Sequence, residues 1–513
     1  MNRAIRPAAA VLLAVLLVAA GCPGGDEQDR DRDNAGTDWK SCPEVPAEAV
    51  GDLVPENFLE QLTKGKTYEC ATITVPRNWS DPDGATIELS LLRVRADNQR
   101  DRIGSLVVNP GGPGASGIDL AVFLSFGAPF GGLSAEVTER FDLVGFDPRG
   151  VERSSPVDCL SDAEVDASFA ADPDPVDQEQ FDAMLAELQQ TAKRCGDKYG
   201  DALRLYSTHQ AARDLDAIRA AVGDEKLTYL GFSYGTLLGA VYAQLHPDRV
   251  RAMVLDGAVD ATADPVEAAR HQAEGFERAF DNFADWCARA GAQCPLGDDP
   301  RAAVMAALEQ ARTSPVMGED GRRATAGWVM YAVVAALYSE NTWPVLGAAI
   351  DQLDGGDPSG VFDLVDVYAD RSPDGTYSNM WDAYQVITCA DEAPVVTVEQ
   401  ARKLQEQWRK EMPLFGASVA LGTLSCYGWP VEPDPYPTGP ATGAPPILVV
   451  GTTGDPATPY ESASRLADML GVGVVLTWEG EGHTAYPSSP CVTDTVNAYL
   501  VDLKVPESGT TCT

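Results

Sequence analysis

Two kinds of hydrophobic period mark the chain. CATITVP (70–76) and TIELSLLRVRA (86–96) alternate apolar and polar residues, as strands with one covered face do. The turn formers WSDPDG between them predict an antiparallel hairpin. A second set is continuously apolar and rich in β-branched residues: SLVVNP (105–110), FDLVGFD (141–147), LTYLGFS (227–233), RAMVLDG (251–257), PILVVGTTGD (446–455) and VVLTWEG (474–480). Such runs predict strands buried on both faces. Helical patterns separate them, for example ARDLDAIRAAVG with Leu215, Ile218 and Val222 on one stripe. A hairpin entering a parallel, helix-covered sheet is an α/β architecture. Three longer helical patterns stand apart from this alternation: AARHQAEGFERAFDNFADWCARAG, ATAGWVMYAVVAALYS and TVEQARKLQEQWRKEM.

The amino-terminal residues have a different character. Arg3 and Arg6 precede an apolar run, 8–20, that is short for a membrane span, and the run ends in AAGC. This predicts a lipoprotein signal peptide over residues 1–22 with Cys22 as the lipidated residue. Ala19 stands where leucine is usual, and ordinary signal cleavage is the alternative. The polar segment that follows predicts a flexible tether over 23–40. Export agrees with the remaining ten cysteines, an even number. Sequence leaves their connectivity open; chain neighbours suggest Cys42–Cys70, Cys159–Cys195, Cys287–Cys294, Cys389–Cys426 and Cys491–Cys512. There is no C-x-x-C pair or H-E-x-x-H and only four histidines, so no metal site is expected. With 77 acidic against 38 basic residues the net charge is −39. Nucleic acid and anionic membrane surfaces would repel such a chain, leaving the lipid anchor as the expected link to a membrane.

In parallel sheets ligands gather at the carboxyl ends of the strands, and the motifs fall there. SLVV leads into NPGGPGASG, whose glycines leave amides uncovered, as an anion site needs. In DPRG, Arg149 is expected to tie its loop to nearby carboxylates, a structural role. LTYLGFSYGTLLG reads as strand, G-x-S-x-G turn and helix, placing Ser233 at an elbow with the Tyr234 amide beside it. PILVVGTTGDPATP ends in Asp455 and VVLTWEGEGHT in His483. Singly, each of these is a common turn or loop residue. In the order Ser, Asp, His, each at a strand end, they match the triad order of α/β-hydrolases.

Together NPGGPG, DPRG, GFSYGTLLG, GTTGDPATP and GEGHTAY resemble the secreted tripeptidyl aminopeptidases of actinobacteria, α/β-hydrolase serine peptidases related to proline iminopeptidases. The likeness runs from about residue 67 to the carboxyl terminus and is weakest in the insertion. Proline iminopeptidases carry H-G-G-P-G, whereas this chain has Pro110 in place of the histidine. By the resemblance, Ser233, Asp455 and His483 are catalytic, and the amides of Gly112 and Tyr234 form the oxyanion hole. The chain from Ser233 to Asp455 is far longer than one strand and two helices require. The resemblance makes the excess a helical cap over 261–430, between hydrolase core segments 41–260 and 431–513; a separate helical domain is the alternative. No cofactor is implied, and a monomer acting on peptides is expected. An aminopeptidase needs a carboxylate for the substrate's ammonium group, and QVITCADEAP offers Asp391 and Glu392. Two other readings remain: a carboxylesterase or lipase on the same fold, and a non-enzymatic binding lipoprotein.

Overall fold

The computed structural model describes residues 37–51, 54–392 and 396–513, so Cys22 and the predicted signal and tether lie outside the described residues except at the tether's end. Its strands in chain order are β1 (Lys40–Ser41), β2 (Tyr68–Pro76), β3 (Thr86–Val94), β4 (Gly104–Asn109), β5 (Phe141–Phe146), β6 (Leu227–Phe232) and β7 (Val250–Asp256). They continue with β8 (Val316–Met317), β9 (Arg323–Ala324), β10 (Ile447–Gly454), β11 (Gly473–Glu481) and β12 (Thr510–Cys512). Ten of these form one sheet in the order β1-β2-β3-β5-β4-β6-β7-β10-β11-β12, and β8 and β9 form a separate ribbon.

The β2–β3 pair is the predicted hairpin, with Tyr68 opposite Val94 and Pro76 opposite Thr86. From β5 onward all pairs are parallel. The continuous apolar runs follow from burial on two sides. Val107, Tyr229, Met253 and Val449 enter one core, while Leu106, Val108, Leu230, Val254 and Leu448 enter the core on the opposite face. The terminal strand β12 is an element that the hydrophobic pattern did not reveal. It is three residues long, and Cys512 is bonded to Cys491 at the start of the helix Pro490–Asp502. The other disulfides join Cys42–Cys70, Cys159–Cys195, Cys287–Cys294 and Cys389–Cys426.

Arg149 is buried and grips Asp214 through two nitrogens, at 2.6 and 2.7 Å. It also donates to the carbonyls of Arg77 and Leu205. The hairpin end, the DPRG turn and the helix Thr208–Ala221 are thereby bolted together.

Between β7 and β10 the three apolar-striped segments form the helices Pro265–Ala290, Ala326–Leu337 and Val398–Glu411. With their neighbours they build a helical cap that has its own core around Phe280, Phe283, Val333 and Leu346. The expected boundary at residue 261 leaves out part of this layer. The helices Asp162–Ala170 and Gln178–Tyr199, which precede β6, pack on the cap. Phe169 lies against the rings of Trp328, Tyr331, Tyr377 and Trp381, and Phe181 packs with Ala401, Leu421 and Leu424. Apolar periodicity marks a helix's buried stripe but does not say which neighbour covers it.

Candidate active site

Ser233 follows β6 directly and opens the helix Tyr234–Leu245, with φ 52° and ψ −124°. A non-glycine residue in this strained region persists only when its surroundings hold it. Here the Ser233 N–H donates to the Asp256 carbonyl at 2.9 Å, and Thr236 Oγ1 donates back to the Ser233 carbonyl. The oxyanion-loop candidate packs just as closely. A Cβ on Gly111 would lie 2.5 Å from the Phe232 carbonyl oxygen and 2.9 Å from the Tyr234 nitrogen, so the loop reaches the elbow only as glycine. Asn109 Oδ1 accepts the Gly111 N–H and fixes the turn. Tyr234 is the first helical residue, so its N–H lacks an intrahelical acceptor. Gly112, Ser233 and Tyr234 all line one cavity of about 620 Å³.

Asp455 is fully buried past the end of β10. Its carboxylate accepts the Ala457 and Thr458 amides and the Thr458 hydroxyl, each at 2.9 Å. These bonds orient it toward His483, whose Nδ1 lies 2.9 and 3.0 Å from its two oxygens. His483 follows β11 and also lines the cavity. Burial works against the imidazolium, but the charge and hydrogen bond of Asp455, with the charge of Asp256, outweigh it and raise the His483 pKa. No hydrogen bond joins Ser233 Oγ to His483, a looseness common before substrate fills a site.

The cap closes the cavity with aromatic residues. Tyr338 accepts the His483 N–H on its carbonyl at 2.9 Å and meets the imidazole edge-on, ring centres 5.1 Å apart. Tyr331, Tyr368, Trp381 and Tyr384 continue the wall. The helix Met380–Asp391 brings both candidate acids to the same cavity. It is seated directly on the glycine loop, because a Cβ on Gly114 would lie 2.4 Å from the Met380 carbonyl oxygen.

The two acids differ in their surroundings. Asp391 accepts the Thr208 amide at 2.7 Å and the Thr208 hydroxyl at 2.6 Å, and that hydroxyl is 2.5 Å from the Tyr234 hydroxyl. Burial pushes its pKa up to about 8, against the pull of the Thr208 bonds, with Glu392 and Asp434 adding repulsion. Glu392 is half-buried and burial raises its pKa too, but among the described residues its carboxylate has no hydrogen-bond or ion-pair partner.

Sequence reasoning passed over three residues at this site: Thr208, Tyr338 and Asp256. The first two carry no local signature. Asp256 did carry one, an aspartate ending an apolar strand in VLDG, the same feature that singled out Asp455. Among the described residues no group of His, Cys, Asp and Glu is arranged to hold a metal ion.

Comparison with known proteins follows the same lines. A family model described as TAP-like protein matches residues 412–512. The chain is 41% identical to serine protease Hip1 of Mycobacterium tuberculosis over 86% of this chain and 87% of that one. It is 34% identical to carboxylesterase B of the same species over 99% and 98%. It is 30% identical to the tripeptidyl aminopeptidase of Streptomyces lividans over 93% and 87%. Among solved structures, the proline iminopeptidase of Mycobacterium smegmatis aligns with 84% of this chain and 99% of its own, at 14% identity and a TM-score of 0.38.

Proposed function

The chain belongs to the tripeptidyl aminopeptidase family of α/β-hydrolase serine hydrolases, and we propose that it is an exopeptidase releasing short peptides, tripeptides by the family's example, from free amino termini. In this reading His483 takes the proton of Ser233 as the serine attacks the scissile carbonyl, and Asp455 holds the imidazole and balances its positive charge. The Gly112 and Tyr234 amides receive the oxyanion, each donor contributing about 3 kcal/mol in the transition state. His483 then protonates the leaving amine, and water releases the acyl-enzyme by the same route.

One observation carries the exopeptidase reading. Glu392, unpaired among the described residues, lines the cavity that holds Ser233, beside the tethered Asp391. Burying an ammonium group is costly without such a partner. The helix that ends in Asp391, with Glu392 as its C-cap, rests on the glycine loop, which itself rests on the serine elbow, so the spacing from acid to nucleophile is set by packing. The test compares a free tripeptide-coumarin substrate with its N-acetylated form. Acetylation should cut wild-type kcat/KM at least about ten-fold, or ~1.4 kcal/mol, and Glu392→Gln should erase most of that preference. Equal turnover of both substrates by the wild type would remove the exopeptidase reading.

A carboxylesterase is the second reading, favoured by the aromatic cavity wall and the relative named carboxylesterase B. It predicts apolar esters turned over faster than any free peptide. Five disulfides support a location of the folded part outside the cytoplasm. We further propose that lipid on Cys22 holds it at the outer face of the cytoplasmic membrane.

A further inference from the structure

The end of β7 carries a second buried carboxylate next to the histidine loop. Asp256 is fully buried, and its side chain accepts the Tyr486 N–H at 2.7 Å and the Ala485 N–H at 3.0 and 3.1 Å. Its own carbonyl accepts the Ser233 N–H at 2.9 Å. One residue therefore holds both the serine elbow and the backbone just past the imidazole. The contact is tight, since a Cβ on the adjacent Gly257 would lie 2.9 Å from Thr484 Cγ2 and 3.1 Å from His483 Cε1. Asp455 bonds the ring itself and its own turn, and reaches the same loop only through the Thr484 N–H, at a longer 3.4 Å.

We propose that Asp256 is a positioning residue for His483, its carboxylate pinning the loop and its charge adding to that of Asp455 in stabilising the imidazolium. The proposal rests on the reading of Ser233 and His483 as nucleophile and base. The groups facing the imidazole are Asp455 and the Thr458 hydroxyl from the β10 end, Asp256 from β7 and Tyr338 from the cap. Burial lifts Asp256 itself to about 7, against its amide bonds and the pull of His483. Its charge is therefore about half present near pH 7 and complete in the alkaline range, where the enzyme needs a neutral base that becomes charged only during the reaction.

The test uses the full-length protein and the rate of fluorophosphonate labelling as a function of pH, in wild type, Asp256→Asn, Asp256→Glu and Ser233→Ala. An asparagine Oδ1 can still accept the loop amides, so Asp256→Asn removes the charge and retains much of the restraint. Its acid limb should shift down by at least about half a pH unit, because the imidazolium loses a stabilising charge. Asp256→Glu keeps the charge but displaces the loop, so the limb should stay near its wild-type position while the maximal rate falls about ten-fold or more. A labelling profile of Asp256→Asn that superimposes on the wild type would overturn the proposal, whatever its thermal stability. Should that variant not fold, a wild-type maximal rate in Asp256→Glu would overturn it instead. Labelling of Ser233→Ala, or none of the wild type, would remove the nucleophile reading itself.

Discussion

Replacing Arg149 by methionine should destabilise the protein by about 3–5 kcal/mol, the usual result of leaving one partner of a buried ion pair unpaired. Arg149 and Asp214 are 1% and 2% exposed, so neither charge regains water when the other is removed. Asp214 would keep the Trp79 Nε1–H bond at 2.8 Å, but no positive charge would remain beside it. The Arg77 and Leu205 carbonyls would lose their donor as well, each worth about 1–3 kcal/mol if water cannot enter. A domain's whole stability is about 5–15 kcal/mol, so the variant should be marginal. The assay is equilibrium unfolding in guanidinium with the disulfides intact, followed by fluorescence and residual activity. Arg149→Met combined with Asp214→Leu should recover half or more of the loss, because no buried charge is then stranded. A single variant weakened by less than about 1 kcal/mol would refute the reasoning and mean that solvent reaches this pair.

Two further outcomes follow from packing and from the amino-terminal pattern. Gly114→Val should drive the helix Met380–Asp391 off the glycine loop, since even a Cβ there comes within 2.4 Å of the Met380 carbonyl. Turnover of free-amino peptides should then fall at least about ten-fold further than that of a small acetate ester, and equal losses would mean that the acids' position does not matter. Cys22→Ala should release the protein from membranes or leave it unprocessed, with the folded enzyme's turnover unchanged. A wild-type protein that is fully soluble and lacks a lipid-modified peptide by mass spectrometry would contradict the anchor.

The sheet and the elbow were legible because their signals are local. Strands buried on both faces are apolar at most positions, and β6 and β10 lead straight into Ser233 and Asp455; β11 is only partly buried, yet its apolar start and its end at His483 were legible in the same way. Contacts made across the chain left no such trace. β12 owes its place to a disulfide and to pairing with β11, not to a hydrophobic run of its own. The helices before β6 read as part of the core because only the fold shows Phe169 facing Trp328. Thr208 is an ordinary residue one step past a helix cap until Asp391, from the cap, accepts both its hydroxyl and its amide. That pair also divides the roles of the two acids, which sequence could only offer together. Asp391 uses both oxygens on Thr208 and so is committed to joining cap and core. Glu392 has no partner to give up among the described residues, so binding a substrate ammonium breaks none of the bonds seen there. The blocked-substrate comparison should therefore respond to Glu392→Gln more strongly than to Asp391→Asn. The reverse order would mean that Asp391 leaves Thr208 when substrate binds.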